Sequence, residues 1–121
     1  MTLPAPLENV HIYQSRVEVG RAAAFDVAQE LRRRLRDQDR VRIVFAAAPS
    51  QLEVLDELVA SEGIDWGRVD AFQLDEYLGL RPGAPERFGI WLREHLFDRV
   101  EFGSVQPVSY THLTLPTNRE V

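Results

Sequence analysis

Two β-branched runs bracket a helical period, and this spacing constrains the fold more than any other feature of the chain. Val41-Arg42-Ile43-Val44-Phe45-Ala46 and the run from Val69 to Leu74 read as buried strands. Between them Leu52, Leu55, Leu58 and Val59 recur at helical spacing, with Ala47-Ala48-Pro49 as a turn before and Gly63 as a C′ stop behind. A strand, a helix and a strand in that order make a parallel pair joined by a crossover. The pattern extends both ways. Val10-His11-Ile12-Tyr13 alternates as a short first strand, and Ala24, Val27, Ala28, Leu31 and Leu35 mark an amphipathic helix behind it. Pro85 suits the first position of a further helix with a stripe of Phe88, Trp91, Leu92, His95 and Leu96, and Val105-Gln106-Pro107-Val108 starts a fourth strand. Alternating strands and helices predict an open parallel α/β sheet with right-handed crossovers.

Ser15 with Glu18, and Ser50 with Glu53, have the spacing of capping boxes, so both serines are predicted N-caps. Arg32, Arg33, Arg34 and Arg36 crowd the end of the first helix. They could gather an anion, but cations near a helix C-terminus also complement its dipole on a solvated face. Trp66, Phe72, Phe88 and Trp91 read as core rather than as a stacking platform.

Composition removes several functions. The 121 residues include no cysteine, which excludes disulfides, thiolate metal sites and a cysteine nucleophile, and makes the cytoplasm the expected compartment. All 14 basic residues are arginine, so no Schiff-base lysine exists in this chain. With 19 acids the net charge is −5, against the basic footprint of a nucleic-acid binder. No apolar run reaches the roughly 20 residues of a membrane span, and the N-terminus lacks the features of a signal peptide. His11, His95 and His112 have no partner at metal-ligand spacing.

Residues 109–121 differ from the rest. They hold three of the four threonines and read SYTHLTLPTNREV, without helical or strand period. The string resembles translated sequencing-adapter sequence. Residues 1–108 are therefore expected to form the N-terminal part of an α/β domain, and 109–121 to be a non-native tail.

In open parallel sheets ligands bind beyond the carboxyl ends of the strands. Two turns meet that condition. The first runs from Ala46 to Ser50, where small side chains allow close approach and unpaired helix N–H groups favour an anion; the plain alternative is a cap. The second carries Asp75 and Glu76, either of which could serve as a general base or simply be a solvated or turn carboxylate.

The stretch Val69-Asp70-Ala71-Phe72-Gln73-Leu74-Asp75-Glu76-Tyr77-Leu78-Gly79-Leu80, with Ala84-Pro85-Glu86-Arg87-Phe88 and Leu92-Arg93-Glu94-His95-Leu96-Phe97-Asp98 after it, resembles the sugar-phosphate isomerase family of glucosamine-6-phosphate deaminase and 6-phosphogluconolactonase. Asp-Glu-Tyr rather than Asp-Glu-Arg marks the deaminase branch. The resemblance implies a Rossmann-like sheet with helices on both faces. It implies conversion of glucosamine 6-phosphate and water to fructose 6-phosphate and ammonia, without metal or organic cofactor. Asp75 would be the proton acceptor; Ala48, Pro49, Ser50 and Glu76 would contact the sugar phosphate. The family's phosphate loop is glycine-rich, whereas this one reads Ala47-Ala48-Pro49-Ser50, and its ring-opening histidine lies beyond the last residue here. A lactonase-like hydrolase and a non-catalytic sugar-phosphate-binding domain are the alternatives. No nucleic-acid or membrane partner is expected, and self-association of the full-length protein stays open.

Overall fold

The Ser15 hydroxyl accepts a hydrogen bond from the Glu18 amide at 3.2 Å, and the Glu18 carboxylate accepts one from the Gln14 amide at 3.3 Å. This reciprocal pair starts helix α1, Arg16–Asp37, in the computed structural model of the chain, which describes residues 7–108. Ala24, Ala28, Leu31 and Leu35 form its buried stripe, as their spacing predicts. The arginines at its end lie on the solvated side: Arg33 and Arg34 pair with Glu30, and Arg32 donates to the Glu62 carbonyl at 3.0 Å.

Strand β1 is Val41–Phe45, helix α2 Leu52–Val59, strand β2 Val69–Gln73 and strand β3 Ser104–Gln106. A 3-10 turn, Pro49–Gln51, leads into α2. Helix α3, Phe88–Leu92, continues as a π-helical turn through Arg93–Phe97. The strands are parallel in the order β1-β2-β3, with Val41 opposite Val69, Phe45 opposite Gln73 and Ala71 opposite Val105.

Val41, Phe45, Val69 and Ala71 share one core with Leu31, Leu55, Leu58, Leu92 and Leu96. Burying each such leucine contributes roughly 1.5–3 kcal/mol. Phe102 meets Trp66 edge-on at 5.2 Å between ring centres and Phe45 at 6.0 Å, closing the core at one side. Helix α1 reaches α2 closely at Gly20, where a Cβ would stand 2.6 Å from Glu53 Cβ. The helices of the described residues lie together on one face of the sheet, their buried side chains sharing one core, so the expected helices on both faces are not seen within this part of the chain. The alternate side chains, Arg42, Val44, Asp70 and Phe72, point to the other, which bears no helix among the described residues. Strands laid down in sequential order with right-handed crossovers place successive helices on the same side.

Four local expectations change. Val10-His11-Ile12-Tyr13 forms no strand, and Ile12 is 90% exposed. Its link to α1 is only Gln14-Ser15, and the segment stays outside the three-stranded sheet, while the N-terminus of α1 sits beside the turn after β1. Ser50 caps nothing: Pro49 begins the helical turn one residue earlier, and neither Ala48 nor Gln51 caps through a side chain. Pro85 precedes rather than begins a helix, since α3 starts at Phe88. Helix α2 ends at Val59, ahead of Gly63, when the Ser61 amide turns to the Leu58 carbonyl at 3.0 Å.

Candidate functional site

The register that sets Phe45 opposite Gln73 brings the two candidate turns side by side. The Leu74 amide donates to the Phe45 carbonyl at 2.9 Å, so the pairing persists one residue past β2. Residues 46–50 and 74–77 thus leave adjacent strands at the same end of the sheet.

In the first turn Ala47 is buried, Ala48 half-buried, and Pro49 and Ser50 exposed. Arg16, in the first turn of α1, reaches across to it. Its guanidinium donates to the Pro49 carbonyl at 3.2 Å and to the Glu53 carboxylate at 3.0 Å. An open groove of about 380 Å³ lies here, walled by Tyr13, Ser15, Arg16, Gly20, Ser50 and Glu53. An exposed hydroxyl, a cation and the entrance to α2 are suited to an anion. Arg16 was not among the expected site residues, although a cation in a helix's first turn opposes the helix dipole and so signals another role.

The second turn separates its two acids. Asp75 is exposed, and among the described residues no group donates to its carboxylate. Glu76 turns inward, its side chain only 1% exposed. Its carboxylate accepts from the amides of Phe88 at 2.8 Å, Gly89 at 2.9 Å and Tyr77 at 3.0 Å, and from the Gln73 side-chain amide at 3.1 Å. The Arg87 guanidinium lies 3.5 Å away. Burial pushes the Glu76 carboxyl up, but the N–H groups of Gly89, Tyr77 and Phe88, with the Gln73 amide, outweigh it and hold the group below its usual range. The structure therefore places protein donors where a substrate contact through Glu76 was expected. Gln73 and Arg87 also escaped the sequence reading. The signal for Gln73 was an amide on the otherwise apolar buried side of β2, after Val69 and Ala71. Arg87 bonds the Leu80 carbonyl at 3.1 Å and draws the loop of residues 74–87 closed.

The histidines lie elsewhere. His95 stacks on Trp91 at 4.6 Å, His11 is exposed, and His112 falls outside the described residues, as does the segment 109–121. No helix of the described residues is long and apolar enough to cross a membrane.

No protein-family model matches the chain. Individual relatives do. A glucosamine-6-phosphate deaminase of Arthrobacter sp. (strain FB24) is 40% identical over 82 residues, covering 65% of this chain and 30% of the relative. One from Pseudarthrobacter chlorophenolicus is 38% identical over 84 residues, covering 68% and 31%. The chain is thus similar in sequence to glucosamine-6-phosphate deaminases. It spans 30–31% of the length of these relatives. Among solved structures, a monomeric glucosamine-6-phosphate deaminase aligns with a TM-score of 0.69 at 18% identity, covering 87% of this chain and 44% of that one. The 6-phosphogluconolactonase of Shewanella baltica aligns at 0.74 and 17%, covering 89% and 46%. Both share the Rossmann-like α/β fold with this chain.

Proposed function

We propose that residues 1–108 are the N-terminal part of a deaminase that converts glucosamine 6-phosphate and water to fructose 6-phosphate and ammonia, and that residues 109–121 are foreign to its fold. One observation carries the reading: in a chain whose relatives are named as this deaminase, a carboxylate without a protein partner among the described residues stands at the carboxyl end of β2, beside the anion-suited turn after β1.

In this reading the Ser50 hydroxyl and the backbone of Ala48 and Pro49 hold the phosphate. Pro49 supplies no N–H donor, and the positive charge of Arg16 next to its carbonyl compensates in part. The phosphate sets the open-chain sugar so that C2 and C1 pass Asp75. Its carboxylate takes the proton from C2, leaving an enolamine, and returns it to C1. The resulting imine at C2 adds water and releases ammonia. One base can serve both carbons because they are adjacent. The chain's own residues need no metal or organic cofactor for this transfer. A small sugar phosphate is thus the proposed ligand, and the cytoplasm the proposed site of action.

The test is to express the complete polypeptide that carries this chain and assay ammonia and fructose 6-phosphate formed from glucosamine 6-phosphate. Asp75→Asn, which keeps shape and removes basicity, is expected to lower kcat by about 10²–10⁴-fold. Hydrolysis of a 6-phosphogluconolactone without ammonia release would overturn the reading in favour of the lactonase.

A further inference from the structure

We propose that Glu76 is a positioning residue for Asp75: its buried carboxylate fastens the loop after β2 to the first turn of α3, and so holds the adjoining Asp75 at the crevice. The inference rests on the reading of Asp75 as the proton-transfer base.

The first amides of a helix have no partner within it, and a side chain at the N-cap usually satisfies them. Arg87 occupies that position in α3 and makes no side-chain cap. The donors at Phe88 and Gly89 go instead to a carboxylate 12 and 13 residues upstream. A cap from so far away is also a clasp: it closes residues 77–87 into a loop whose two ends meet at Glu76.

The clasp is tight and grips both sides of Asp75. Beyond it, the Tyr77 amide donates to Glu76 Oε1 at 3.0 Å. Before it, the Gln73 side-chain nitrogen donates to the Asp75 carbonyl at 2.8 Å and to Glu76 Oε2 at 3.1 Å. Glycine at position 89 permits the approach, because a Cβ there would stand 3.0 Å from Gln73 Oε1 and 3.2 Å from Glu76 Oε2. The Tyr77 ring packs on Phe88 at 4.6 Å and covers the clasp. An ionised carboxylate in so buried a place is costly unless its oxygens are bonded, and here they are. Capping α3 alone would not require this cost, since a serine or aspartate at position 87 could do it at the surface. What position 76 adds is adjacency to the base. A shift of about 1 Å in a reacting group can cost 10²-fold in rate, so rigidity there has a kinetic value.

A double-mutant cycle on kcat in the complete polypeptide tests this. Glu76→Gln retains shape but loses the charge that the Phe88 and Gly89 amides require. It is expected to lower kcat about 10- to 100-fold, as the loss of outer-shell supports does, with KM for glucosamine 6-phosphate nearly unchanged. In an Asp75→Asn background the same substitution should cost little more, because the group being positioned no longer acts. Losses that multiply in the double variant would overturn the proposal, and so would a raised KM with unchanged kcat. Wild-type kcat in Glu76→Gln, with Asp75→Asn crippled, would overturn this inference alone. Wild-type kcat in Asp75→Asn would overturn the base assignment and this inference with it. Should Glu76→Gln fail to fold, Gln73→Leu removes the amide that holds Asp75 and Glu76 together. The same non-additivity is then expected, and independence would sink the proposal.

Discussion

Ser50 lost its predicted role as a helix cap because Pro49 starts the turn first, and its hydroxyl is left exposed beside Arg16. Stability and ligand binding can therefore be separated at this residue. Ser50→Ala should change the unfolding free energy from urea melts by less than about 0.5 kcal/mol, as at an ordinary surface position. In the complete polypeptide it should raise KM for glucosamine 6-phosphate about 10-fold, the usual worth of one hydrogen bond to a charged group. A destabilised variant with unchanged KM would mean that Ser50 is structural after all. Asp70 gives a second test at this scale. The Arg40 guanidinium and then the Ser104 hydroxyl hold its carboxyl at about 2, down from 3.8. A depressed acid stabilises the fold in full above its unfolded value and loses that contribution as pH falls through its folded value. The stabilities of wild type and Asp70→Asn should thus differ near neutrality and converge between pH 3.8 and about 2. Acid-unfolding curves that stay parallel through that window would contradict the assignment.

Among the elements, the α1–α2 contact carries the sharpest prediction. Ala is a better helix former than Gly by about 1 kcal/mol, so propensity alone predicts that Gly20→Ala stabilises α1. Packing predicts the reverse, since the new Cβ would meet Glu53 Cβ at 2.6 Å and the Glu53 carbonyl carbon at 2.9 Å. Backbone cannot yield as a side-chain tip can, so the clash should win and destabilise the chain by about 1–3 kcal/mol. Denaturant melts decide the sign. The same displacement would disturb Arg16, whose partner is also Glu53, and tie helix packing to the Ser50 turn.

At the scale of the whole molecule, the sheet has one helix-covered face and one bare face, with Val44 57% exposed on β1. Bare apolar strands invite association with other chains. The 121-residue chain by itself, which spans 30–31% of the length of the relatives it matches, is expected to release no measurable ammonia from glucosamine 6-phosphate. Turnover above a no-enzyme control would show that these residues suffice.

The order of strands and helices was legible in the sequence because burial imposes a period of two on a strand and 3.6 on a helix, and both survive in composition. So was the Ser15 cap, a contact between residues three apart, and so were Asp75 and the Ser50 turn as positions at strand ends. The decisions that escaped were made by groups distant in sequence. A strand needs a paired neighbour, and Val10-His11-Ile12-Tyr13 pairs with none of the three described strands. Helix α3 begins where a carboxylate 12 residues away meets it. Asp75 and Glu76 are alike in charge and adjacent in the chain, and only the packing of α3 against β2 turns one outward and surrounds the other with donors. Local periodicity records which face a residue occupies; which partner meets it there is settled when separate elements pack, and that contact energy leaves no mark in the spacing of either one.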